Sequence, residues 1–571
     1  MKTRYIVPLL LFCLFACMAC EDDKTEMPRL FRPSFIASSC FAEDNTITLA
    51  WRTSGEATSY TVELSQDATF QSEKLETQTV EHGKCVFTNL RYETKFYARV
   101  RANNESLAIT SNWTEMGSSI STLSRTIPKI LYAVEGSRIS ETSVEIKWVV
   151  SEKNPVDGLA IWEEGTTEER QISLENASAG QYTITGLTPR TTYYVALTNS
   201  AAPEGAEKYN QQRFTTAGMP ADAVVVEDGV DLMDKIKAGM TDASKQALVF
   251  QLKNGVDYYL TAGGEVAAKT GDIKLTKSIA LLANPGERPT LYIREGGFNV
   301  KPESGNMPDI EYFVVDNVNI KETWTDSKPS KGSRTRLLNI GKHDAGTDFT
   351  IDRFEITNSD IVLPSAVLMM SDASEGVTTI NHIRIDNCLV SGINTSAVSK
   401  QFGFIHAINK GSNVWNDVSV TNSTFYEFYI SPGVFGAPTA NVPIAAGNKV
   451  VISNCTFYNW GSNKDGKNTY RAVGNFSKLT APLNLSVNNC VFGSSESKVL
   501  DAGGINLDSK GNYCTSDFEK MSDAGLTLIS LDTDDASLFR NIEENDFTVI
   551  DAESVIYKSE YGDPRWITVL D

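Results

Sequence analysis

Short runs in which apolar and polar residues alternate recur along the chain, a pattern typical of β-strands with one buried face. The segments TITLAW and SVEIKW each place a tryptophan, Trp51 and Trp148, on the apolar side of such a run. A buried tryptophan on an early strand is a feature of β-sandwich domains. We therefore predict two sandwiches, over residues 29–125 and 126–217.

A different pattern occupies the C-terminal part of the chain. Six segments, of which VVISNCTF (450–457) is one, fit the sequence apolar-x-apolar-x-Asn-x-x-apolar without exception. A strand, a turn at a fixed residue and a second strand, repeated in this way, predict the coils of a solenoid. Asparagine suits the turn because it tolerates a positive φ and its amide can bond the amide of the next coil. The six residues are Asn317, Asn358, Asn387, Asn422, Asn454 and Asn489.

The residues that follow these asparagines form a column of small side chains. Free cysteines packed as small apolar residues explain the column better than disulfides or a metal site. Cys40 and Cys85 lie outside it, and the sequence leaves open whether they pair. The column consists of Val318, Ser359, Cys388, Ser423, Cys455 and Cys490.

The segment GLTPRTTYYVAL in the second predicted sandwich resembles the fibronectin type III signature L-x-P-x-T-x-Y. In the first sandwich, Tyr92 and Phe96 replace the proline and the tyrosine of that signature. The resemblance implies that the tyrosine of the second copy, Tyr193, bonds back to the backbone, and it leaves this corner in doubt in the first copy. We expect both sandwiches to act as spacers, since the fold alone confers no activity.

The six-copy pattern resembles the right-handed parallel β-helix of the pectate lyase superfamily, whose asparagine ladder occupies such a turn. The resemblance implies a β-helix over residues 218–571. The segment 230–240 has apolar residues at helical spacing after Asp231 and predicts a cap helix, and 272–293 predicts the opening coil. The predicted fold class is all-β: two fibronectin type III-like β-sandwiches followed by a right-handed parallel β-helix.

The N-terminus carries a targeting signal. An apolar stretch ends in Ala19 and Cys20, which are followed by acidic residues. This arrangement resembles a bacterial lipoprotein cleavage site and the export signal that directs Bacteroidetes lipoproteins to the cell surface. We expect a signal peptide and lipobox at 1–20, a linker at 21–28, lipidation at Cys20, and a lipid-anchored protein on the outer membrane. Cys17 as the acylated residue and a plain secretory signal are the alternatives.

Composition narrows the classes of partner. The formal charge of −20 and the pI near 4.8 argue against a nucleic-acid partner, and a mean hydropathy of −0.22 argues against a polytopic membrane protein. The two fibronectin-like modules, the β-helix and the terminal GDPRW together resemble a group of lipoproteins of unknown function from polysaccharide-utilisation loci of gut Bacteroidetes. That resemblance implies an outer-membrane transporter and glycan-degrading enzymes as neighbours.

Two kinds of enzyme chemistry can be considered for a β-helix. A galacturonan hydrolase of the polygalacturonase type needs a Gly-His-Gly segment, and none of the four histidines is flanked by two glycines. A lyase needs a base, for which Lys410 and Arg471 are candidates, and a cation such as Ca²⁺ on carboxylates. A solvated polar face is the simpler explanation of the carboxylates beside the ladder. The candidate metal ligands are Asp316, Glu355, Asp360 and Asp386.

Binding without turnover is the third possibility, because aromatic rings stack on sugar faces. Aromatic residues outside the repeat columns cluster over 415–470. We therefore predict a surface protein that captures a polysaccharide, pectic or otherwise uronate-containing, on its β-helix. It requires no cofactor, although Ca²⁺ is compatible with it; a calcium-assisted lyase and an adhesion or structural protein are the alternatives. The candidate glycan-binding residues are Trp415, Tyr426, Tyr429, Tyr458, Trp460 and Tyr470.

Overall fold

The protein forms two compact units, which the computed structural model describes for most of the chain. The first unit comprises residues 29–126 together with 199–207, and the second comprises 127–198 and 208–570. The predicted signal and Cys20 lie outside the described residues. These are residues 29–72, 74–265, 268–323, 335–364, 367–393, 402–407, 412–429, 433–436, 449–461, 470–476, 483–495, 497–501, 505–518 and 526–570.

The first unit is a sandwich of two antiparallel sheets. Its core holds Trp51, which is 2% exposed and lies 5.5 Å from the ring of Tyr60. Cys40 and Cys85 are both free thiols. One sheet contains Ser34–Phe35, Phe41–Glu43, Thr46–Arg52 and Lys84–Phe87, and the other contains Ser59–Ser65, Glu76–Val80, Lys95–Asn104, Ile109–Thr110, Thr114–Glu115 and Ile120–Ser121.

The second unit begins with another sandwich, which packs Trp148 and Tyr193 into its core. The backbone N–H of Thr188 donates to the Tyr193 hydroxyl at 3.1 Å, which confirms the tyrosine corner. One sheet pairs Ser143–Lys147 with Gln181–Thr185, and the other contains Gly158–Glu163, Arg170–Ser173, Thr192–Thr198 and Lys208–Thr215.

The rest of the second unit is a β-helix with three parallel sheets, to which successive coils contribute one strand each. Sheet 1 contains Val224–Val226, Ala247–Leu252, Lys277–Leu282, Asp309–Asp316, Asp348–Thr357, Val377–Asp386, Ser412–Thr421, Lys449–Ser453, Leu483–Asn488 and Ile505–Lys510. Sheet 2 contains Asp257–Tyr259, Thr290–Ile293, Asn319–Glu322, Asp360–Val362, Leu389–Ile393, Thr424–Phe428, Thr456–Tyr458, Val491–Phe492, Tyr513–Cys514 and Ile529–Ser530. Sheet 3 contains Gly271–Lys274, Gly296–Val300, Arg336–Ile340, Val367–Ser371, Ile405–Ala407, Phe435–Gly436, Arg471–Asn475 and Lys498–Asp501.

The predicted asparagine turn is confirmed and joins sheet 1 to sheet 2. All six asparagines are left-handed, with φ between 50° and 58°. Asn387 Nδ2 donates to Asn358 Oδ1 at 2.8 Å, whereas Asn358 and Asn422 donate to the carboxylates of Asp316 and Asp386 at 2.7 and 2.8 Å. The small residues after the asparagines are fully buried, and their three cysteines are free.

The solenoid starts one coil earlier than predicted. The strands Val224–Val226, Ala247–Leu252 and Asp257–Tyr259 precede the segment predicted to open it, and Gly271–Lys274 overlaps the start of that segment. Their turn uses Gly255 at φ 72° instead of an asparagine, so the repeat pattern does not mark this coil. The predicted cap helix is Leu232–Thr241, and its apolar side is buried in the solenoid core. Asp231 makes no side-chain capping bond.

Residues 535–570, which we call the C-terminal cover, pack against the outer face of sheet 2. Apolar side chains of the cover share one buried cluster with Tyr426 and Val491 of that sheet. The terminal GDPRW anchors the cover, because the buried Asp563 carboxylate accepts from Thr424 Oγ1 at 2.7 Å and pairs with Arg565 at 2.8 Å. The cover contains the helices Asp535–Leu538 and Val555–Ser559, the strands Phe539–Asn541 and Asp546–Val549, and 3-10 turns at Ile542–Glu544 and Pro564–Trp566.

A search for helices that are both long and apolar enough to span a bilayer finds none among the described residues.

Candidate binding cleft

The second sandwich is docked on the β-helix through a cluster of four charged side chains. Arg213 of the sandwich donates to Glu164 at 2.7 Å and pairs with Asp386 of the β-helix at 2.9 Å. Arg384, in the sheet 1 strand Val377–Asp386, reaches the same two carboxylates at 3.4 and 3.0 Å. The cluster therefore links the two domains by a closed set of ion pairs.

Burial and charge act in opposite directions within this cluster. Burial disfavours the charge of Arg213, but the carboxylates of Asp386 and Glu164 outweigh it and raise the pKa of the guanidinium. Burial would likewise raise the pKa of Asp386 and of Glu164, but the arginines outweigh it and lower both pKa values. All of these groups are thus charged at neutral pH.

A second contact joins the same sandwich to the C-terminal cover. The Lys129 side chain, only 1% exposed, forms an ion pair with Glu560 and lies 5.9 Å from the ring centroid of Tyr557. The backbones also approach closely, since a Cβ on Gly136 would lie 2.5 Å from the backbone nitrogen of Gly286. The second sandwich is therefore packed on the β-helix and its cover at these points.

A cleft of about 430 Å³ lies between the docked sandwich and the asparagine ladder. This volume is within the range of small-ligand sites. Four arginines line it, together with two carboxylates and a row of ladder amides. These lining residues are Arg190, Arg213, Arg288, Arg384, Asp316, Glu355, Asn317, Asn358 and Asn387.

Most of these charges are neutralised within the protein. Arg213 and Arg384 share Glu164 and Asp386, as described above, and Arg288 pairs with Asp360 at 2.7 Å. Arg190 differs, because no carboxylate among the described residues lies within ion-pair distance of it. It is exposed and adopts a left-handed φ of 53°, a conformation uncommon for a long side chain. The cleft thus presents one uncompensated guanidinium beside a mixed polar wall.

Such a wall can hydrogen-bond sugar hydroxyls, which donate and accept at once. Carboxylates accept from them, guanidinium groups donate to them and amides do both. An uncompensated arginine adds a planar donor pair that fits a carboxylate. The arrangement is suited to binding a polar, acidic ligand.

The four predicted metal ligands do not converge on one point. Asp316 accepts from Thr357 and Asn358, each at 2.7 Å, and Glu355 lies 3.7 Å from Arg353. Asp360 and Asp386 are engaged by arginines, as described above. No group of three or more candidate ligands occurs within the described part of the chain. Each of these carboxylates is engaged by another side chain of the protein, and the calcium site beside the ladder stays a prediction.

Three of the predicted glycan-binding aromatics are buried instead of lining a surface. Trp415 is 2% exposed and lies in the solenoid core. Trp460 is fully buried there, with its Nε1 donating to the carbonyl of Lys498 at 2.8 Å. Tyr470 is buried as well, at 8% exposure. None of these rings offers a face to a sugar, so this part of the prediction is corrected.

Of the remaining three aromatics, Tyr426 and Tyr458 lie in strands of sheet 2, and Tyr429 directly follows one of these strands. Tyr426 and Tyr458 lie next to each other on the outer face of sheet 2, and both rings pack on Phe547 of the C-terminal cover, at 5.5 and 5.3 Å. Tyr429 is half-buried, with its hydroxyl accepting from Asn459 at 3.0 Å. The cover thus occupies the faces of Tyr426 and Tyr458 that were predicted to bind sugar, which is a second correction.

The candidate bases lie on or next to sheet 3. Arg471 is in its strand Arg471–Asn475 and donates from Nε to Asp501 at 2.6 Å. The Arg471 guanidinium is thus engaged by a carboxylate of the neighbouring strand Lys498–Asp501. Lys410 lies outside the described residues.

Sequence reasoning missed the contribution of the second sandwich to the cleft. Arg190 lies between Pro189 and Thr191, inside the segment that carries the fibronectin resemblance, and was considered only as part of that signature. The backbone of Arg190 is left-handed, a conformation that glycine adopts without strain. The sequence alone does not display this signal.

Comparison with known proteins gives limited support for a family. A family model described as a domain of unknown function (DUF5123) matches residues 450–566. The match begins in the strand Lys449–Ser453 and ends in the GDPRW segment, so it spans the last coils and the cover. No curated protein sequence matches the chain.

Two solved structures of fibronectin type III domains resemble part of the chain. The crystal structure of the chicken CNTN1 FN1–FN3 domains is 16% identical and covers 34% of this chain and 69% of that chain, with a TM-score of 0.16. A two-domain fibronectin type III segment from chicken tenascin is also 16% identical and covers 33% of this chain and 100% of that chain, with a TM-score of 0.19. Neither structure bears on the cleft.

Proposed function

We propose that this protein is a surface lipoprotein that captures a uronate-containing polysaccharide, such as a pectic one, in the cleft between its second sandwich and its β-helix. The observation that carries the proposal is Arg190, the uncompensated guanidinium in a cleft otherwise lined by amides and paired charges. The carboxylate of a uronate would pair with Arg190, and the ladder amides would bond neighbouring hydroxyls.

The rest of the proposal concerns where the protein works and with what. The lipobox at Cys20 supports anchoring to the outer membrane with the β-helix facing the medium. The resemblance to lipoproteins of polysaccharide-utilisation loci supports a transporter and glycan-degrading enzymes as neighbours. In this setting the protein would hold the glycan near the cell without cleaving it.

Isothermal titration of residues 21–571 with galacturonate oligomers, with and without Ca²⁺, tests the proposal. We expect saturable binding, and an affinity about tenfold lower for Arg190→Gln, because one charge-assisted bidentate contact is lost. Arg540→Gln is the matched control, since Arg540 is half-exposed in the same unit and does not line the cleft.

The other outcomes separate the alternatives. Sustained heat and unsaturated products in the presence of Ca²⁺ would identify a lyase. Equal binding by both arginine variants and the wild type would contradict the cleft as the site. A complete lack of response to acidic and neutral glycans would favour the adhesion protein.

A further inference from the structure

Four side chains on the outer face of the first sandwich form a continuous stack. The Arg99 guanidinium lies between two aromatic rings, with its Cζ 4.4 Å from the ring centroids of both Phe70 and Trp113. Arg101 lies over Trp113, at 4.6 Å. We call this arrangement the arginine–aromatic stack; its order is Phe70, Arg99, Trp113, Arg101.

The two arginines of the stack differ in their charge partners. Arg99 is held by Glu63, with Nε and Nη2 each 2.6 Å from Oε2. Arg101 has no carboxylate within ion-pair distance among the described residues, and its Nε is buried without a hydrogen-bond partner there. The stack therefore fixes the plane of the Arg101 guanidinium without neutralising it.

Alternation along the strand Lys95–Asn104 directs both arginines outward. Phe96, Ala98 and Val100 point into the sandwich core, whereas Lys95 is exposed and Arg99 and Arg101 are half-exposed. Three cations thus share a face with two carboxylates, Glu63 and Glu115. In a chain with a formal charge of −20, a face with an excess of cations is unusual.

The end of the stack is held in a conformation that costs free energy. Phe70 has a φ of 56°, which is an outlier for a bulky side chain. The preceding turn is fixed by the Asp67 carboxylate, which accepts from the backbone N–H groups of Thr69 and Gln71 at 3.0 and 3.3 Å. Strain of this kind persists where the surroundings enforce it, and such positions cluster at binding sites.

We infer that the arginine–aromatic stack is a second glycan site, in which Arg101 binds a uronate carboxylate of an acidic polysaccharide. A planar guanidinium that is already held on an indole has little freedom left to lose on binding. A bidentate carboxylate contact therefore forms at low entropic cost. The half-exposed ring of Trp113 beside it offers apolar contact to the sugar. This site lies in the first unit and does not depend on the cleft.

Affinity for polygalacturonate, measured on residues 21–571 at fixed salt, tests this inference. We expect Arg101→Gln to lower the affinity about tenfold, and Arg101→Lys to lower it several-fold although the charge is kept. Arg52→Gln is the matched control, because Arg52 is an exposed arginine on the other sheet of the same sandwich, and we expect it to bind like the wild type. Fully methyl-esterified pectin should bind Arg101→Gln and the wild type equally.

Each contrary result overturns the inference in a recognisable way. Equal losses for Arg101→Gln and Arg52→Gln would mean general electrostatic attraction, and an unchanged affinity would mean that the stack only stabilises the sandwich. If Arg101→Gln lowers the melting temperature, the affinity of Arg101→Lys decides instead. A wild-type affinity in that variant would then contradict the inference. Repeating the series in an Arg190→Gln background keeps the result independent of whether the cleft binds glycan.

Discussion

At the scale of single residues, asparagine performs two tasks in each turn of the β-helix. Its backbone occupies the left-handed region, which costs most residues roughly 1–2 kcal/mol. Its side-chain amide donates to the preceding coil, either to an asparagine, as Asn387 does with Asn358, or to an aspartate, as Asn422 does with Asp386. The two tasks can be separated by substitution, because glycine keeps the first and loses the second.

We predict that Asn422→Ala lowers the free energy of unfolding by about 2–3 kcal/mol, from backbone strain plus the lost hydrogen bonds to Asp386 and from Asn454. Glycine adopts a φ of 50° freely, so Asn422→Gly should lower the free energy of unfolding by only about 1 kcal/mol through the folded state. The more flexible unfolded chain of this variant adds a separate loss of stability. Urea denaturation of the three proteins measures the difference. Equal losses for both variants would show that backbone strain plays no part in the choice of asparagine.

At the scale of elements, the repeat predicted the strands and the turn but not the places where alternation reverses. In the strand Ser412–Thr421, Val418 and Val420 point inward, yet Trp415 does as well. The reversal lies at Asn416, whose amide bonds Asn381 at 2.7 Å in a second polar ladder. This bend depends on pairing with neighbouring coils, so simple counting along the strand placed Trp415 outside.

The cover shows a second limit of sequence reasoning. Tyr426 and Tyr458 were expected to face away from the core, and they do lie on the outer face of sheet 2. What lies over them, Phe547 and its neighbours, comes from a segment about a hundred residues later, and no local pattern announces this contact. For these two tyrosines the direction of the side chain was predictable, whereas its exposure was not.

The junction between the cover and the β-helix contains a buried acid. Asp535 begins the first helix of the cover and accepts from the backbone N–H of Ser494, in a turn of the solenoid, at 2.8 Å. Burial is the main cause that raises its pKa to about 6. The unfolded chain has an ordinary aspartate pKa near ~3.9. The folded state therefore holds a proton that the unfolded state releases between about pH 4 and 6, and stability falls as the pH rises through this range.

Asp535→Asn should remove this dependence, because the amide stays neutral. We predict that its free energy of unfolding rises relative to that of the wild type between pH 4 and 7, by at most about 3 kcal/mol. Denaturant titrations at several pH values measure the difference in unfolding free energy between the two proteins. The contributions of the other carboxylates are the same in both and cancel in this difference. Asp534→Asn is the control with the opposite sign, since bonds from Ser537 lower the pKa of Asp534. A constant difference between the wild type and Asp535→Asn would contradict the prediction.

At the scale of the whole molecule, the second unit holds two domains together by charges at two separate points. The cluster around Arg213 lies at the cleft, whereas Lys129 meets Glu560 on the C-terminal cover. Both points join segments far apart in the sequence, so neither could be read from local pattern. The cleft has walls from both domains, and its shape therefore depends on both contacts.

Glu560→Gln tests this dependence without touching the cleft. It leaves the buried Lys129 ammonium without its carboxylate, which we expect to cost about 2–4 kcal/mol in unfolding free energy. If the docked sandwich shapes the glycan site, the affinity for galacturonate oligomers should also fall several-fold. Glu553→Gln is the matched control, because Glu553 is 87% exposed and pairs with Lys558 within the cover, so both quantities should stay unchanged. Lower stability with unchanged affinity would show that the glycan does not bind between the two domains.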